Sequence, residues 1–229
     1  MMKTLFTKSN LIALASILSI PLLGLIYQYL NRPQEKVYSL VTSFDQQTPL
    51  LKIFVIPYMF WYAFVFMMLL YLMFKNRKVY YETLLQYNLG LLICYSIYII
   101  YQTHVPRPVV EGNDFLSQMV QWIYQSDAPY NCFPSIHVLT TYVVMRAVLK
   151  TTDVSRMMKS LTAVMAVLII ASTVFIRQHV ILDIVGAVLV VEGLMVLTLL
   201  VRQSRQKEVF VADQRIANAS TFNTLKRGA

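Results

Sequence analysis

Two short segments, Asn131-Cys132-Phe133-Pro134-Ser135-Ile136-His137 and Arg177-Gln178-His179-Val180-Ile181-Leu182-Asp183, each place a histidine at the head of a long apolar run. The chain has three histidines in all, His104, His137 and His179. Imidazole accepts and donates protons near neutral pH, which suits acid–base or nucleophilic work. His179 and Asp183 are four residues apart, so on a helix they share one face. The carboxylate can then hold one ring nitrogen and leave the other free to attack or to ligate. Arg177, two residues earlier, brings a planar guanidinium that grips phosphate in bidentate fashion. Pro134 fits the first turn of a helix. Ser135, Ile136 and His137 would then present unbonded N–H groups and a positive dipole end, a site for an anion and above all phosphate. Arg107, within His104-Val105-Pro106-Arg107-Pro108, completes the set. A His-x-x-x-Asp pair can also ligate metal. Zinc asks for three or four ligands, however, and no second carboxylate–histidine cluster or cysteine pair accompanies it, so neither metal nor cofactor is expected.

These groups must be positioned by a membrane. The 229 residues are 57% hydrophobic and 14% charged, with mean hydropathy +0.56, whereas a soluble domain is about a quarter charged. The apolar residues fall into six runs, about 11–30, 51–74, 80–101, 134–150, 160–176 and 180–201, each read as a membrane span. The fold class is therefore all-α, a six-helix bundle in one domain over residues 1–229, with a basic tail at 202–229. The first run has no small-residue cleavage site and is read as a retained helix. Phe115 to Tyr124 reads as a short amphipathic stretch, with Trp122 and Tyr124 suited to an interface. Cys94 and Cys132 make no disulfide framework or metal motif.

Charge orients the chain. With both termini inside, 15 of the 20 basic residues are cytoplasmic and five, including Arg107 and Arg177, are outside, as the positive-inside rule requires. All the chemistry-bearing residues then face outward. The net charge of +9 is a topology signal, and the basic tail belongs near anionic lipid rather than on nucleic acid. Glu192, inside the sixth run, is costly there. It lies about 13 Å deeper than Asp183 on a helix, which leaves a packing partner or a second polar pathway as explanations.

The chain resembles the type 2 phosphatidic acid phosphatase (PAP2) superfamily of membrane lipid phosphatases and phosphotransferases. The resemblance rests on Arg107-Pro108, Pro134-Ser135-Ile136-His137 and His179-x3-Asp183 in that order, within a core of about residues 50–201. Ile100 stands where the family has lysine, with Gln102 or His104 as stand-ins. Ile136 replaces a motif glycine but keeps its N–H, and Thr173, after Ser172, replaces an arginine that Arg177 can supply instead. The Phe-Pro-Ser-x-His form is similar to the inositol phosphorylceramide synthase-like branch. The resemblance implies that His179 attacks phosphorus to form a phosphohistidine, oriented by Asp183. It further implies that His137 protonates the leaving oxygen, then activates the acceptor. Arg107, Arg177, Ser135 and the Ile136 amide would hold the phosphate oxygens. The implied partner is a lipid phosphate, placed in the outer leaflet by the charge asymmetry, and the compact chain suggests a bacterial cytoplasmic membrane. Water or an alcohol remains open as acceptor, as does assembly into a homo-oligomer. The competing reading is an anion-binding or transport protein.

Overall fold

The structure, a computed structural model, describes residues 7–227, with side chains described for 7–206. Lys3 of the charge count lies outside the described residues, as do the side chains of Lys207, Arg215, Lys226 and Arg227. Two compact units part between Val191 and Glu192. All of the site described below belongs to the first. Glu192 begins the second and is half-buried.

Nine α-helices are described: α1 (Lys8–Ser16), α2 (Ser19–Leu30), α3 (Ser43–Gln47), α4 (Val55–Lys75), α5 (Arg77–Ile100), α6 (Phe115–Ser126), α7 (Ile136–Lys150), α8 (Arg156–Phe175) and α9 (Ile181–Arg227). Polar residues set several of the starts. Thr7, Asn76, Asp114, Ser135 and Ser155 each accept a hydrogen bond from the backbone three residues on, satisfying a donor that the helix itself leaves unpaired. The first apolar run breaks between α1 and α2. Pro21 has no N–H to return to the Ile17 carbonyl, which takes the Ile20 N–H at 2.9 Å instead.

Five helical segments among the described residues, not six, are long and apolar enough to cross a membrane: Lys8–Leu30, Lys52–Lys75, Arg77–Ile100, Arg156–Phe175 and Ile181–Gln206. The expected span at 134–150 is α7, whose 15 residues rise only about 22 Å. Ten of its positions, from Ile136 to Val148, are buried, because α4, α5 and α8 enclose it. Gly90 of α5 allows the close approach: a Cβ there would sit 2.8 Å from Leu139 Cδ2. By contrast the outer faces expose Leu22, Phe66, Leu85, Val167 and Leu189, as lipid-facing helices do.

An apolar cluster and buried polar groups together anchor the loops at the head of α7 and α9. Val55 and Tyr58 of α4, Val120 and Ile123 of α6, Val110 and Ile176 form one apolar cluster there. α6 therefore lies against α4 by its apolar stripe and leaves Trp122 exposed, matching the amphipathic reading of Phe115 to Tyr124. Asp127, just after α6, accepts from Tyr27 Oη at 3.0 Å and Asn31 Nδ2 at 2.7 Å. Burial raises the Asp127 carboxyl above its ordinary range, with Arg107 opposing the shift.

Candidate active site

Arg177 carries a backbone φ of 55°, the left-handed region that turns the chain sharply after α8. The Thr173 carbonyl then receives the Gln178 and His179 N–H groups at 2.9 and 3.0 Å. This fixes His179 in the connection rather than within α9, where the sequence spacing put it. The His179–Asp183 pair still forms, by a different geometry. Asp183 is the third residue of α9 and folds back over the helix start, accepting from the Val180 N–H at 3.0 Å in the manner of a capping box. The same oxygen lies 3.2 Å from His179 Nδ1. Val180, just before α9, has no side-chain acceptor to cap the helix. The Ile181 N–H instead donates to Asp45 Oδ1 at 2.9 Å.

Asp45 was not among the residues singled out by spacing. It lies in α3 and caps that helix too, accepting from the N–H and Oγ1 of Thr42 at 2.8 and 2.6 Å. Its own carbonyl receives Arg177 Nη1, and the Gln46 carbonyl receives Arg177 Nη2 at 3.2 Å. One five-residue helix thus holds both the guanidinium and the head of α9. Thr42-x-x-Asp45 has the form of a capping box, which was the available signal.

His137 is the second residue of α7. Pro134 lies outside that helix, one residue before the cap Ser135, not in its first turn as expected. Its carbonyl accepts from Tyr98 Oη at 2.5 Å. His137 Nδ1 lies 3.3 Å from His179 Nε2, and its Nε2 lies 2.9 Å from Tyr58 Oη. The rings of Tyr58 and Trp61 flank the imidazole at centroid distances of 4.9 and 4.3 Å. These two residues are three apart on α4 and so share a face. Nothing in the sequence separates Tyr58 from the chain's fourteen other tyrosines. Four polar side chains, Tyr58, His137, His179 and Asp183, thus form one buried chain.

A cavity of about 320 Å³ opens beside His179. Arg107, Arg177 and Asp45 line it with Val41, Gln46, Val105 and Val180. Arg107 is pinned by the carbonyls of Tyr124 (3.1 Å) and Asp127 (2.5 Å) and by Gln178 Oε1 (2.7 Å), with its guanidinium over the Tyr124 ring. Burial pushes the Tyr124 hydroxyl up to about 12, against the pull of Arg107. Both arginines have a buried Nε with no protein partner. Ser135 and Ile136 are buried behind the cavity rather than lining it. The Ser135 Oγ accepts from Val138 N at 3.3 Å, and its N–H donates to the Asp183 carbonyl at 3.2 Å. Of the proposed stand-ins, Gln102 is committed to Gln34, Arg32 and Asn131, and His104 does not line the cavity. Ile100 is 82% exposed, and Thr173 directs its hydroxyl to the Ile170 carbonyl at 2.7 Å.

Among the described residues, one set of side chains could hold a metal ion. Cys132, His179 and Asp183 place potential ligand atoms within 4.8 Å of one another, all buried. Burial pushes the Cys132 thiol well up, with the nearby Asp183 charge adding to the shift, which disfavours the thiolate that a metal takes. Cys94 and Cys132 are both free thiols.

A model of the PAP2 superfamily matches residues 36–197. The chain belongs to the PAP2 superfamily. The match begins before residue 50, where the motif-based core starts, and so includes Asp45 and the whole of α3 within the PAP2 region. No curated protein and no solved structure gives a match to the chain. Membership supports hydrolase or phosphotransferase chemistry in a membrane-embedded, all-α PAP2 frame.

Proposed function

We propose that this PAP2 member is a membrane lipid phosphatase that transfers the phosphoryl group of a lipid phosphate to His179, and then to water. The observation that carries this reading is the chain Asp183–His179–His137 set beside a cavity whose cationic walls are Arg107 and Arg177.

Asp183 can only accept, so it holds a hydrogen on His179 Nδ1 and leaves the Nε2 lone pair for phosphorus. His137 Nδ1 touches that same nitrogen. An entering phosphoryl group must exchange this contact for its own, which delivers the His137 proton to the leaving oxygen. Arg107 and Arg177 keep their Nη groups on backbone carbonyls and offer Nε to the equatorial oxygens. Fixed donors of this kind stabilise the charge that grows in the transition state. Ser135 and the Ile136 amide support the reaction from behind, by fixing the starts of α7 and α9 relative to each other. These groups supply the positive field without a metal ion. An apolar groove of about 1050 Å³ between α4 and α8, walled by Met59, Phe60, Met67, Met158 and Met165, is compatible with hydrocarbon tails. The charge asymmetry supports an outward-facing site in a cytoplasmic membrane. Transfer to an alcohol acceptor is the second reading, favoured by the Phe133-Pro134-Ser135-Ile136-His137 sequence.

Phosphohistidine trapping tests the proposal. Purified protein quenched during turnover of a radiolabelled lipid phosphate should carry acid-labile, base-stable label. His179→Ala should carry none and should not turn over. A wild-type protein that turns over without such label, or a His179→Ala variant that retains it, overturns the mechanism. Adding alcohol acceptors separates hydrolysis from transfer by the product formed.

A further inference from the structure

We propose that Tyr58 is a positioning residue for this chemistry, keeping His137 in the correct orientation and hydrogen-bonded in each protonation state the reaction needs. This rests on the phosphohistidine reading above. Three observations carry it. Tyr58 Oη lies 2.9 Å from His137 Nε2, and both side chains are buried. His137 Nδ1 points the other way, to His179 Nε2 at 3.3 Å. The ring is wedged by Trp61, whose Nε1–H donates to Thr140 Oγ1 on the helix that carries His137, at 2.9 Å.

The direction of the chain follows from Asp183. Its carboxylate fixes the hydrogen of His179 on Nδ1, so His179 Nε2 is an acceptor and His137 Nδ1 must carry a hydrogen to meet it. If His137 is neutral, its Nε2 is then a lone pair that accepts the Tyr58 O–H. If His137 is an imidazolium, Nε2–H donates to the Tyr58 oxygen. A hydroxyl serves both cases by rotating, which a carboxylate, an amide NH2 or a carbonyl in its place does not.

The reaction uses that adaptability. In the first half, the bond from His179 Nε2 to phosphorus forms as the bond from phosphorus to the leaving oxygen breaks. The proton on Nδ1 of the His137 imidazolium passes to that oxygen. His137 is left neutral with its hydrogen on Nε2, held by Tyr58, and a lone pair on Nδ1. In the second half this lone pair takes a proton from water, whose oxygen bonds to phosphorus as the bond from phosphorus to nitrogen breaks. The imidazolium is restored and phosphate departs. Tyr58 therefore keeps Nε2 paired in both states, leaving Nδ1 to act as the acid and then as the base, and it does so without touching substrate.

Tyr58→Phe keeps the ring that packs on His137 and deletes only the hydroxyl. Leaving a buried group that is charged in the cycle without its partner should lower kcat on an alkyl lipid phosphate about 10–100-fold, with KM little changed. An aryl phosphate with a good leaving group needs no protonation, so its phosphohistidine burst should be near wild type while breakdown of the intermediate stays slow. In a His137→Ala background, Tyr58→Phe should add no further loss, since its effect passes through that imidazole. The proposal is overturned by wild-type kcat in Tyr58→Phe, by equal losses in the rate of phosphohistidine formation from alkyl and aryl substrates, or by additive losses in the double variant. Absence of phosphohistidine from the wild-type protein would instead overturn the function on which this proposal is built.

Discussion

Arg177 offers the sharpest test of the proposed phosphate site, because its Nη groups brace α3 while its Nε has no protein partner. Nη1 and Nη2 donate to the carbonyls of Asp45 and Gln46, while Nε is buried without a protein partner beside the cavity. Arg177→Lys keeps the charge and can keep one carbonyl contact, but it has no second donor edge for an oxyanion. A hydrogen bond to a charged group contributes about 1.5–3 kcal/mol, so losing the Nε contact to phosphate should lower kcat/KM by about 10–150-fold. Inorganic phosphate, which meets the same donors, should weaken as an inhibitor by a comparable factor. Steady-state assays in detergent micelles, with phosphate inhibition and a thermal inactivation curve for each protein, give all three quantities. A variant that loses thermal stability yet keeps wild-type kcat/KM and phosphate inhibition would confine Arg177 to bracing α3, and Arg107 would then be the remaining guanidinium to hold phosphate.

Asp45→Asn tests the brace from the other side. It keeps one side-chain oxygen but turns an NH2 toward either the Thr42 or the Ile181 N–H, at a cost of about 1–3 kcal/mol. Thermal inactivation should move down and kcat should fall with it, and an unchanged inactivation temperature would refute the capping role. Gly186→Ala should inactivate rather than stabilise, because a Cβ there would lie 2.4 Å from Phe133 Cε2 and push the segment that leads to Ser135 and His137. Gly24→Ala, which meets nothing within 4 Å, is the control and should be neutral or gain up to about 1 kcal/mol of helix preference. Comparable behaviour of the two glycine variants in thermal and activity assays would contradict the packing argument.

Some of this site could be read from the chain because its chemistry is local. His179 and Asp183 are close in sequence, and any helix start that brings residues four apart together makes them partners. Arg107 and Arg177 followed from residue type and from the side of the membrane that charge assigns. The failures share a physical cause. Hydropathy measures transfer out of water and does not distinguish lipid from the inside of a bundle, so the sequence did not show that α7 is enclosed by other helices rather than facing lipid. Tyr58 meets His137 across 79 residues, and a tyrosine in an apolar run carries no mark of its partner. Asp45 caps a helix that begins 136 residues later, and only its local box with Thr42 was visible. Ser135 was expected at the phosphate. Its side chain and N–H are instead committed to the start of α7 and to Asp183.

Under the proposed function, the cavity has to favour an anion, and the arrangement of helix starts bears on this. Tyr58 is the fourth residue of α4, His137 the second of α7, and Asp183 the third of α9. Contacts among these side chains and His179 bring three helix N-termini to one place, and each contributes partial positive charge that decays within about a turn. Carboxylates offset part of this field, since Asp45 and Asp183 accept the N–H groups at the start of α9. Asp45 lines the cavity, but its oxygens are turned to Thr42 and Ile181. Asp183 is behind His179, and Asp127 faces Tyr27 and Asn31. Arg107 and Arg177 line the cavity, and each keeps a buried Nε without a protein partner. A cation entering here would meet two guanidinium groups, whereas a phosphate oxygen would meet hydrogen-bond donors whose orientation backbone carbonyls already fix.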